Sequence, residues 1–531
     1  MLFISLLKRP ALRATLLALL LAAAAFSASH AQQQPTRGGT LNWALRVEPP
    51  TLVPINTSAG GATDIGPKVT EGLLTYDNQL NPKPLLATAW EVAPNGLRYT
   101  FKLRKGVKWH DGKPFTSADV AWSILAVKQY HPRGRATLAQ VREIQTPDAH
   151  TAILLLDKPA PYLLTALSSS EAPIVPRHLY EGKDVASNPH SNAPVGTGPF
   201  LFKEWVRGSH LVLERNPDYW DKPKPYVDRV IARFIPDASA RAAALESGDI
   251  HIAGGGVAVS EIARFSKLPN LRVDTSASPY SSPYNQIIIN HETPVLQDIR
   301  VRRAIAQAIS VERIGKLAWY GQGVPSATAI GKSSRYHNAS IPFYPFDPAA
   351  AEKLLDAAGH PRGADGKRFT LRLTTNPYTE RRIADVIRQQ LQKIGIDAVI
   401  HAHDFGTYVN RVYTKREFDL TVCAQSVTFD PTVGVQRLFW SKNFQIGLPF
   451  SNGGHYVNPE VDRLLEAAAV EPDEAKRRQL FAQFQKITWE DVAVINLGTP
   501  PETVIYHHKL IDAEPGAERT TGSFANLYFA P

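Results

Sequence analysis

Three short apolar segments in the second half of the chain limit its possible folds more than any other feature. FTLRLTT (369–375), IDAVI (396–400) and FDLTVCA (418–424) are apolar nearly throughout, as strands covered on both faces of a sheet require. Between the first two, apolar residues recur at helical spacing over 383–394, and Gly395 ends the pattern. This order of strands and helices predicts βαβ units and an α/β fold.

The segment KWHDGKPFTSADV (108–120) raises the question of a catalytic site. It places His110 near hydroxyl and carboxylate side chains, a combination that nucleophilic catalysis uses when the fold brings the groups together. Each polar residue also has a local explanation. The preceding residues alternate as a half-buried strand, the DG pair suits a turn, and Thr116 precedes Asp119 at capping-box spacing. We interpret the segment as a strand, a turn and a helix N-terminus.

The first 31 residues differ from the rest of the 531-residue chain. Basic residues at 8, 9 and 13 precede the run ATLLALLLAAAAF, and Ser29 and Ala31 are small residues at the positions that signal peptidase reads. This pattern predicts a signal peptide over 1–31 that is removed during export. A transmembrane anchor is the alternative, but the apolar run is shorter than the ~20 residues that cross a bilayer.

Composition points to an ordinary globular protein, with 44% hydrophobic and 20% charged residues. Without residues 1–31 the net charge falls from +10 to +7, and the basic residues are scattered, which does not favour a nucleic-acid partner. The single cysteine, Cys423, lies in an apolar segment and cannot form an internal disulfide. We therefore expect a soluble, monomeric protein of the periplasm that carries no lipid anchor.

The segment YTFKLRKGVKWHDGKPFTSADVAWS (99–123) resembles the signature of the family 5 bacterial extracellular solute-binding proteins. This family includes the oligopeptide-, dipeptide- and nickel-binding proteins of ABC importers. Six other segments match in the family's order, so that the resemblance covers essentially the whole chain after residue 31. They are GGTL (38–41), EGLLTYD (71–77), PVGTGPFLFKEWVRGSHLVLERNPDYW (194–220), LESGDIHIA (245–253), DIRVRRAIAQAI (298–309) and DPAAAEKLLDAAG (347–359).

The resemblance implies a two-lobed periplasmic binding protein fold, of type II and the large cluster C type, with an extra subdomain on the first lobe. In proteins of this kind the lobes close on a solute by hinge bending, and the closed form docks on an inner-membrane permease. The family layout assigns 32–75, 193–278 and 497–531 to lobe 1, 76–192 to the subdomain, and 279–496 to lobe 2.

The resemblance also implies where solute binds, namely at three short segments that line the cleft in the peptide binders. These segments carry neutral amides and hydroxyls, which suit a polar cleft. Where the peptide binders place an aspartate for the peptide's ammonium, this chain has Val427, and Asp430 follows three positions later. The expected binding residues are Asn56, Thr57, Ser58, Tyr284, Asn285, Gln286, Gln425, Ser426, Thr428 and Asp430.

The sequence also bears on two other classes of function. A hydrolase of the G-x-S-x-G type is disfavoured because that motif does not occur. A metal or metallophore carrier is the stronger alternative, since His401 and His403, and His507 with His508, form close pairs, although no third ligand is indicated by spacing. We predict a non-enzymatic solute-binding component of an ABC importer that needs no cofactor. Its expected solute is a peptide, an opine-like conjugate or an oligosaccharide.

Overall fold

The computed structural model describes residues 35–255, 257–276, 278–376, 381–513 and 516–531, so the predicted signal peptide lies outside the described residues. Across those residues, no helix combines the length and the apolar character needed to cross a membrane. The strands are β1 (Thr40–Leu45), β2 (Leu74–Tyr76), β3 (Pro82–Pro84), β4 (Ala87–Val92), β5 (Arg98–Leu103), β6 (Val141–Asp148), β7 (Thr151–Leu156), β8 (Phe200–Val206), β9 (His210–Arg215), β10 (Arg229–Phe234), β11 (Ile252–Gly254), β12 (Leu271–Asp274), β13 (Ser281–Ile289), β14 (Val324–Pro325), β15 (Phe369–Thr375), β16 (Ile396–Ala402), β17 (Leu420–Thr428), β18 (Val494–Thr499), β19 (Val504–His507), β20 (Leu510–Ile511) and β21 (Tyr528–Phe529).

Helices cover the faces of these sheets and connect their strands. Short 3-10 turns and one π turn occur at 163–166, 189–191, 259–261, 410–414, 441–443 and 519–521. The α-helices are α1 (Gly60–Val69), α2 (Ser117–Tyr130), α3 (Gly134–Thr137), α4 (Arg177–Tyr180), α5 (Ala238–Ser247), α6 (Ile262–Phe265), α7 (Pro294–Gln297), α8 (Ile299–Ala308), α9 (Val311–Leu317), α10 (Pro348–Ala357), α11 (Arg381–Lys393), α12 (Phe405–Val409), α13 (Pro431–Gly434), α14 (Gln436–Phe439), α15 (Pro459–Val470) and α16 (Glu474–Glu490).

The first lobe is built on a seven-stranded sheet in the order β12-β19-β11-β1-β10-β9-β8. Its strands come from the beginning, the middle and the end of the described chain, so that this lobe is discontinuous in sequence. β1 is central, pairs in parallel with both β10 and β11, and buries Leu41 and Trp43. The subdomain is a four-stranded antiparallel sheet in the order β4-β5-β7-β6.

The second lobe contains a six-stranded sheet in the order β14-β18-β13-β17-β15-β16. The predicted βαβ unit is β15-α11-β16, whose strands pair in parallel from Phe369 opposite Ile396. β17 begins with four buried residues, as expected for a covered strand. β16 differs from the expectation because it is the edge strand, and Val399 is 42% exposed there. β18 keeps the chain in this sheet through Thr499, past the predicted boundary at residue 496.

The local signals near residue 110 have the structural roles predicted for them. The capping box at the start of α2 is present, and the Asp119 carboxylate accepts the Thr116 backbone N–H at 2.8 Å. His110 lies at the end of the strand and turn, where one ring nitrogen accepts the Gly196 N–H at 3.2 Å and the other contacts the Gly198 carbonyl at 3.0 Å. The histidine therefore joins the subdomain to lobe 1 and takes no part in a catalytic triad.

Candidate functional site

A cavity of about 1340 Å³ lies between the two lobes and the subdomain. Lobe 1 contributes Trp43 and Ser58, the subdomain contributes Tyr162, and lobe 2 contributes Trp319 and Gln425. Ligand pockets for small molecules usually measure roughly 300–1,000 Å³. The cavity therefore has room for a solute larger than a single amino acid.

The two chain crossings between the lobes form part of the cavity wall. One crossing runs from β12 to β13 and the other from β18 to β19, and Ser278 and Glu502 line the cavity from these two segments. The Ser278 N–H donates to the Glu502 carboxylate at 3.2 Å, which ties the crossings together. Burial raises the pKa of Glu502 to about 7. A carboxylate thus lies at the junction about which the lobes would move.

Four of the ten residues predicted to bind solute line this cavity: Ser58, Asn285, Gln425 and Ser426. Asn285, Gln425 and Ser426 meet because β13 and β17 are neighbouring antiparallel strands, on which Asn285 lies opposite Ala424. Ser58 lines the cavity from the loop before α1 of lobe 1. The other six lie outside the cavity lining: Asn56, Thr57, Tyr284, Gln286, Thr428 and Asp430.

Two of those six, Tyr284 and Thr57, are each next in sequence to a residue that lines the cavity, but their own side chains have other partners. Tyr284 is 1% exposed, and its hydroxyl donates to the Thr328 carbonyl inside lobe 2. Thr57 accepts the Ala59 N–H at 3.2 Å and stabilises the loop before α1. On β13 successive side chains point to opposite faces, so that Asn285 lines the cavity while its neighbours Tyr284 and Gln286 do not.

Asp430 occupies a buried ion pair and does not face the cavity. Its two carboxylate oxygens accept from the two terminal nitrogens of Arg477, each at 2.7 Å, and it also caps α13 by accepting the Thr432 N–H at 2.9 Å. The Arg477 side chain is 2% exposed and also donates to the Tyr336 hydroxyl at 2.7 Å. This arrangement is a structural reason against Asp430 as the partner of a peptide ammonium.

Several buried polar atoms around the cavity have no hydrogen-bond partner within the described protein. Both amide atoms of Gln425, which is 3% exposed, belong to this group, as does the side-chain oxygen of Asn285. A buried polar group without a partner costs about 1–3 kcal/mol. Such groups therefore favour a polar solute that can supply the missing hydrogen bonds. Other cavity-lining side chains with such an atom are Trp43, Trp319, Gln436 and Arg437.

A second group of charged residues lies on the lobe 1 side of the cavity. Lys68 is fully buried, donates to the Thr520 carbonyl at 2.5 Å, and lies over the Trp43 and Phe524 rings. Burial raises the pKa of Asp64 and lowers that of Lys68, while their mutual attraction opposes both shifts. Burial also raises the pKa of Glu518 to about 7.

Patterns in the sequence did not predict most of the aromatic and charged residues that line the cavity. Trp43 belongs to an apolar strand, Tyr162 to the subdomain, and Trp319 and Arg437 to helix ends in lobe 2. No spacing in the sequence connects them, because each comes from a separate segment. The one available signal was the motif FDPTVGVQRLFW, in which Arg437 follows the loop that was already expected to reach the cleft.

The rings within each histidine pair considered for metal binding lie close together. The ring centres of His401 and His403 are 6.2 Å apart, and those of His507 and His508 are 4.6 Å apart. Within the described ranges, no group of three or more His, Cys, Asp or Glu side chains has the arrangement of a metal site. The pairs therefore provide no observation in favour of a metal carrier.

Comparison with known proteins matches residues 81–445 to the model of the bacterial extracellular solute-binding proteins, family 5. The chain belongs to this family. A Brucella ovis protein, named as a peptide-binding protein of an ABC transporter, is 31% identical over 432 residues, which cover 79% of each chain. The family predicted from sequence is thereby confirmed.

Solved structures share the fold over nearly their whole length. The oligopeptide-binding protein AppA of Bacillus subtilis, in complex with a nonapeptide, has a TM-score of 0.80 and 27% identity, covering 94% of this chain and 100% of that one. The binding protein AgaA of Agrobacterium tumefaciens, in complex with agropinic acid, has a TM-score of 0.76 and 26% identity, covering 93% and 99%. These likenesses confirm the predicted two-lobed fold.

Proposed function

We propose that this protein binds a polar solute between its lobes in the periplasm and delivers it to the inner-membrane permease of an ABC importer. The observation that carries the proposal is the cavity between the lobes, where buried amides such as Gln425 lack protein partners. Family membership supports the transport role, and none of the catalytic arrangements considered from the sequence is needed to explain the cavity. Export through a cleavable signal peptide and a monomeric state are part of the same proposal.

The solute class follows from the chemistry of the cavity wall. Peptides and opine-like conjugates carry amide or acid groups and oligosaccharides carry hydroxyls, and unpartnered amides would bind any of these groups. The relatives named above include binders of a nonapeptide and of agropinic acid, which supports this range. We further propose that an ordinary free peptide is not held by a carboxylate at the loop position of Val427, because Asp430 nearby is engaged by Arg477.

The test is to purify the protein natively from the periplasm, denature it, and identify the released small molecule by mass spectrometry. The released compound is then titrated calorimetrically against the wild type and Gln425→Leu. We expect the variant to bind at least about tenfold more weakly while its thermal stability is unchanged or higher, because a buried amide without partners is removed. Asn95→Leu, in the turn between β4 and β5, is the control and should bind as the wild type does.

Mass analysis of the intact protein and its metal content complete the test. A polypeptide beginning at Gln32 agrees with the proposed export. Retention of residues 1–25, release of no solute, or stoichiometric nickel in place of an organic compound would contradict the proposal.

A further inference from the structure

Arg437 lies on the lobe 2 wall of the cavity, in the short helix α14. One terminal nitrogen of its guanidinium donates to the Phe450 carbonyl at 2.7 Å, and the other donates to the Ser426 carbonyl at 3.2 Å. These two carbonyls fix the direction of the side chain. A guanidinium has five N–H groups, so that these two bonds leave three for other partners.

Arg437 has no ion pair with any described carboxylate. Its Nε is buried and lacks a hydrogen-bond partner within the described residues. Two other arginines close to the cleft differ in this respect, since Arg477 is paired with Asp430 and Arg133 with Glu171. A cation removed from water is strongly disfavoured unless a negative charge compensates it. The wall thus contains a positive charge that the described protein does not neutralise.

Arg133 adds positive charge near Arg437, and Glu171 opposes it in part. Burial and the nearby charge of Arg133 lower the pKa of Arg437 to about 10, which still leaves it protonated at neutral pH. Arg133 lines the same cavity from the subdomain, and its Nε donates to Glu171 at 3.0 Å, so that this carboxylate is already engaged. An anion at Arg437 would relieve both the desolvation and the repulsion between the arginines.

We propose that Arg437 binds a carboxylate of the transported solute. This inference rests on the proposed function and narrows it to solutes that carry an acid group. A carboxylate matches the planar guanidinium in a two-bond arrangement, which a hydroxyl or a neutral amide cannot supply with the same charge. The unpartnered amides of Gln425 and Gln436 line the same cavity and would hydrogen-bond the neutral part of the solute.

Two measurements test the proposal. The compound released from natively purified protein is treated with acidic methanol, and we expect the mass gain of a methyl ester. In parallel, N-acetylated tripeptides with a free C-terminal acid and their C-terminal amides are titrated by calorimetry. The wild type should prefer the acids by at least about tenfold, and Arg437→Gln should reduce that preference to about twofold or less. Arg437→Lys, which keeps the charge but not the planar fork, should fall between them.

Arg388→Gln is the matched control. Arg388 lies on lobe 2, is 49% exposed, and pairs with Asp385 away from the cavity, so that this variant should keep the preference for acids. A released compound that cannot be esterified, or an Arg437→Gln protein that keeps the wild-type preference, would overturn the inference and leave the proposed transport function standing. A protein that releases no solute and binds neither series would instead contradict the proposed function itself.

Discussion

At the scale of a single residue, the buried carboxylate of Glu71 connects sequence segments by which the family is identified. It is 1% exposed, and its carboxylate accepts from the Thr197 hydroxyl at 2.8 Å, the Tyr219 hydroxyl at 2.9 Å and the Trp220 indole N–H at 2.9 Å. These partners belong to the segments GTGPF and NPDYW, whereas Glu71 begins EGLLTYD. Two matching segments, 71–77 and 194–220, thus form one buried hydrogen-bond network, which has a structural and not a ligand-binding role.

The stability of this network should depend on pH. Burial raises the pKa of Glu71 from 4.5 to about 7, so that the native state retains a proton that the unfolded chain releases. The contribution of this group is therefore fully present below about pH 4.5 and is lost as the pH rises towards 7. Glu71→Gln should show a smaller loss of stability between pH 5 and pH 8 than the wild type in urea denaturation. Glu91→Gln, at an exposed position on β4, should keep the wild-type slope, and equal slopes for all three proteins would refute this account.

A second prediction at this scale concerns Asp430. Asp430→Asn leaves the Arg477 guanidinium buried without its counterion, so that we expect a loss of roughly 3–5 kcal/mol in the free energy of unfolding. Asp385→Asn breaks an exposed pair with Arg388 and should lose no more than about 1 kcal/mol. Urea denaturation measures both. An Asp430→Asn protein of wild-type stability that no longer binds solute would instead assign Asp430 to the binding site.

At the scale of elements, the sequence predicted those features whose cause is local. The capping box of α2, Asp347 as the cap of α10 and Gly395 after α11 are all found, because each depends on residues within one turn of each other. The partner of Asp430 could not be predicted in the same way. Arg477 follows 47 positions later on α16, and only the packing of lobe 2 brings the two together.

The start of α2 provides a prediction for an element. The Asp119 carboxylate accepts both the backbone N–H and the hydroxyl of Thr116, and its other oxygen accepts the Arg177 N–H at 3.0 Å. Thr116→Ala should therefore lower stability by ~1 kcal/mol, and Asp119→Ala should lower it further. Chemical denaturation measures both, with Lys128→Ala near the end of the helix as a comparison. A greater loss in Thr116→Ala than in Asp119→Ala would contradict this assignment.

His110→Ala tests whether the same segment has any role in binding. Both ring nitrogens contact the loop at 196–198, and the residue lies outside the cavity lining, so that solute affinity should stay within a few-fold of the wild type. Stability should fall by roughly 1–3 kcal/mol because two backbone groups lose their partner. Calorimetric titration with the copurified solute and urea denaturation separate the two effects. A large loss of affinity at unchanged stability would place His110 in the binding site.

At the scale of the whole molecule, prediction of the site was limited by the way in which the cavity forms. β13 and β17 pair with each other, and Asn285 and Gln425, which the resemblance to the family placed in the cleft, line the cavity from these strands. That they bind solute stays a prediction. Trp43, Tyr162 and Arg437 come from lobe 1, the subdomain and lobe 2, and meet only because the lobes approach one another. No local pattern encodes such an approach, whereas the fold itself was predictable from seven matching segments in order.

Outside the cavity, an aromatic stack joins the first chain crossing to the subdomain and to lobe 2. Tyr280, at the first crossing, stacks on Tyr76 with ring centres 5.3 Å apart and packs in a tilted arrangement against Phe429 of lobe 2, with ring centres 4.9 Å apart. Its hydroxyl donates to the Thr165 carbonyl in the subdomain at 3.0 Å. Phe429 is 6% exposed and belongs to the same apolar core as the subdomain residues, although it does not line the cavity. The stack therefore stabilises the approach of the lobes without touching solute.

Phe429→Ala should consequently weaken solute binding from a distance. If the closed arrangement is less populated before binding, the apparent dissociation constant rises in inverse proportion to that population. Removing one ring contact of about 0.5–1.5 kcal/mol predicts a roughly 2- to 12-fold loss of affinity for the copurified solute in calorimetry. Small-angle X-ray scattering should show a larger radius of gyration in the solute-free variant and the wild-type value at saturation, because saturating solute restores closure. Phe343→Ala, at a 41% exposed position on lobe 2, should change neither quantity. An unchanged radius of gyration together with wild-type affinity in Phe429→Ala would show that the stack does not control closure.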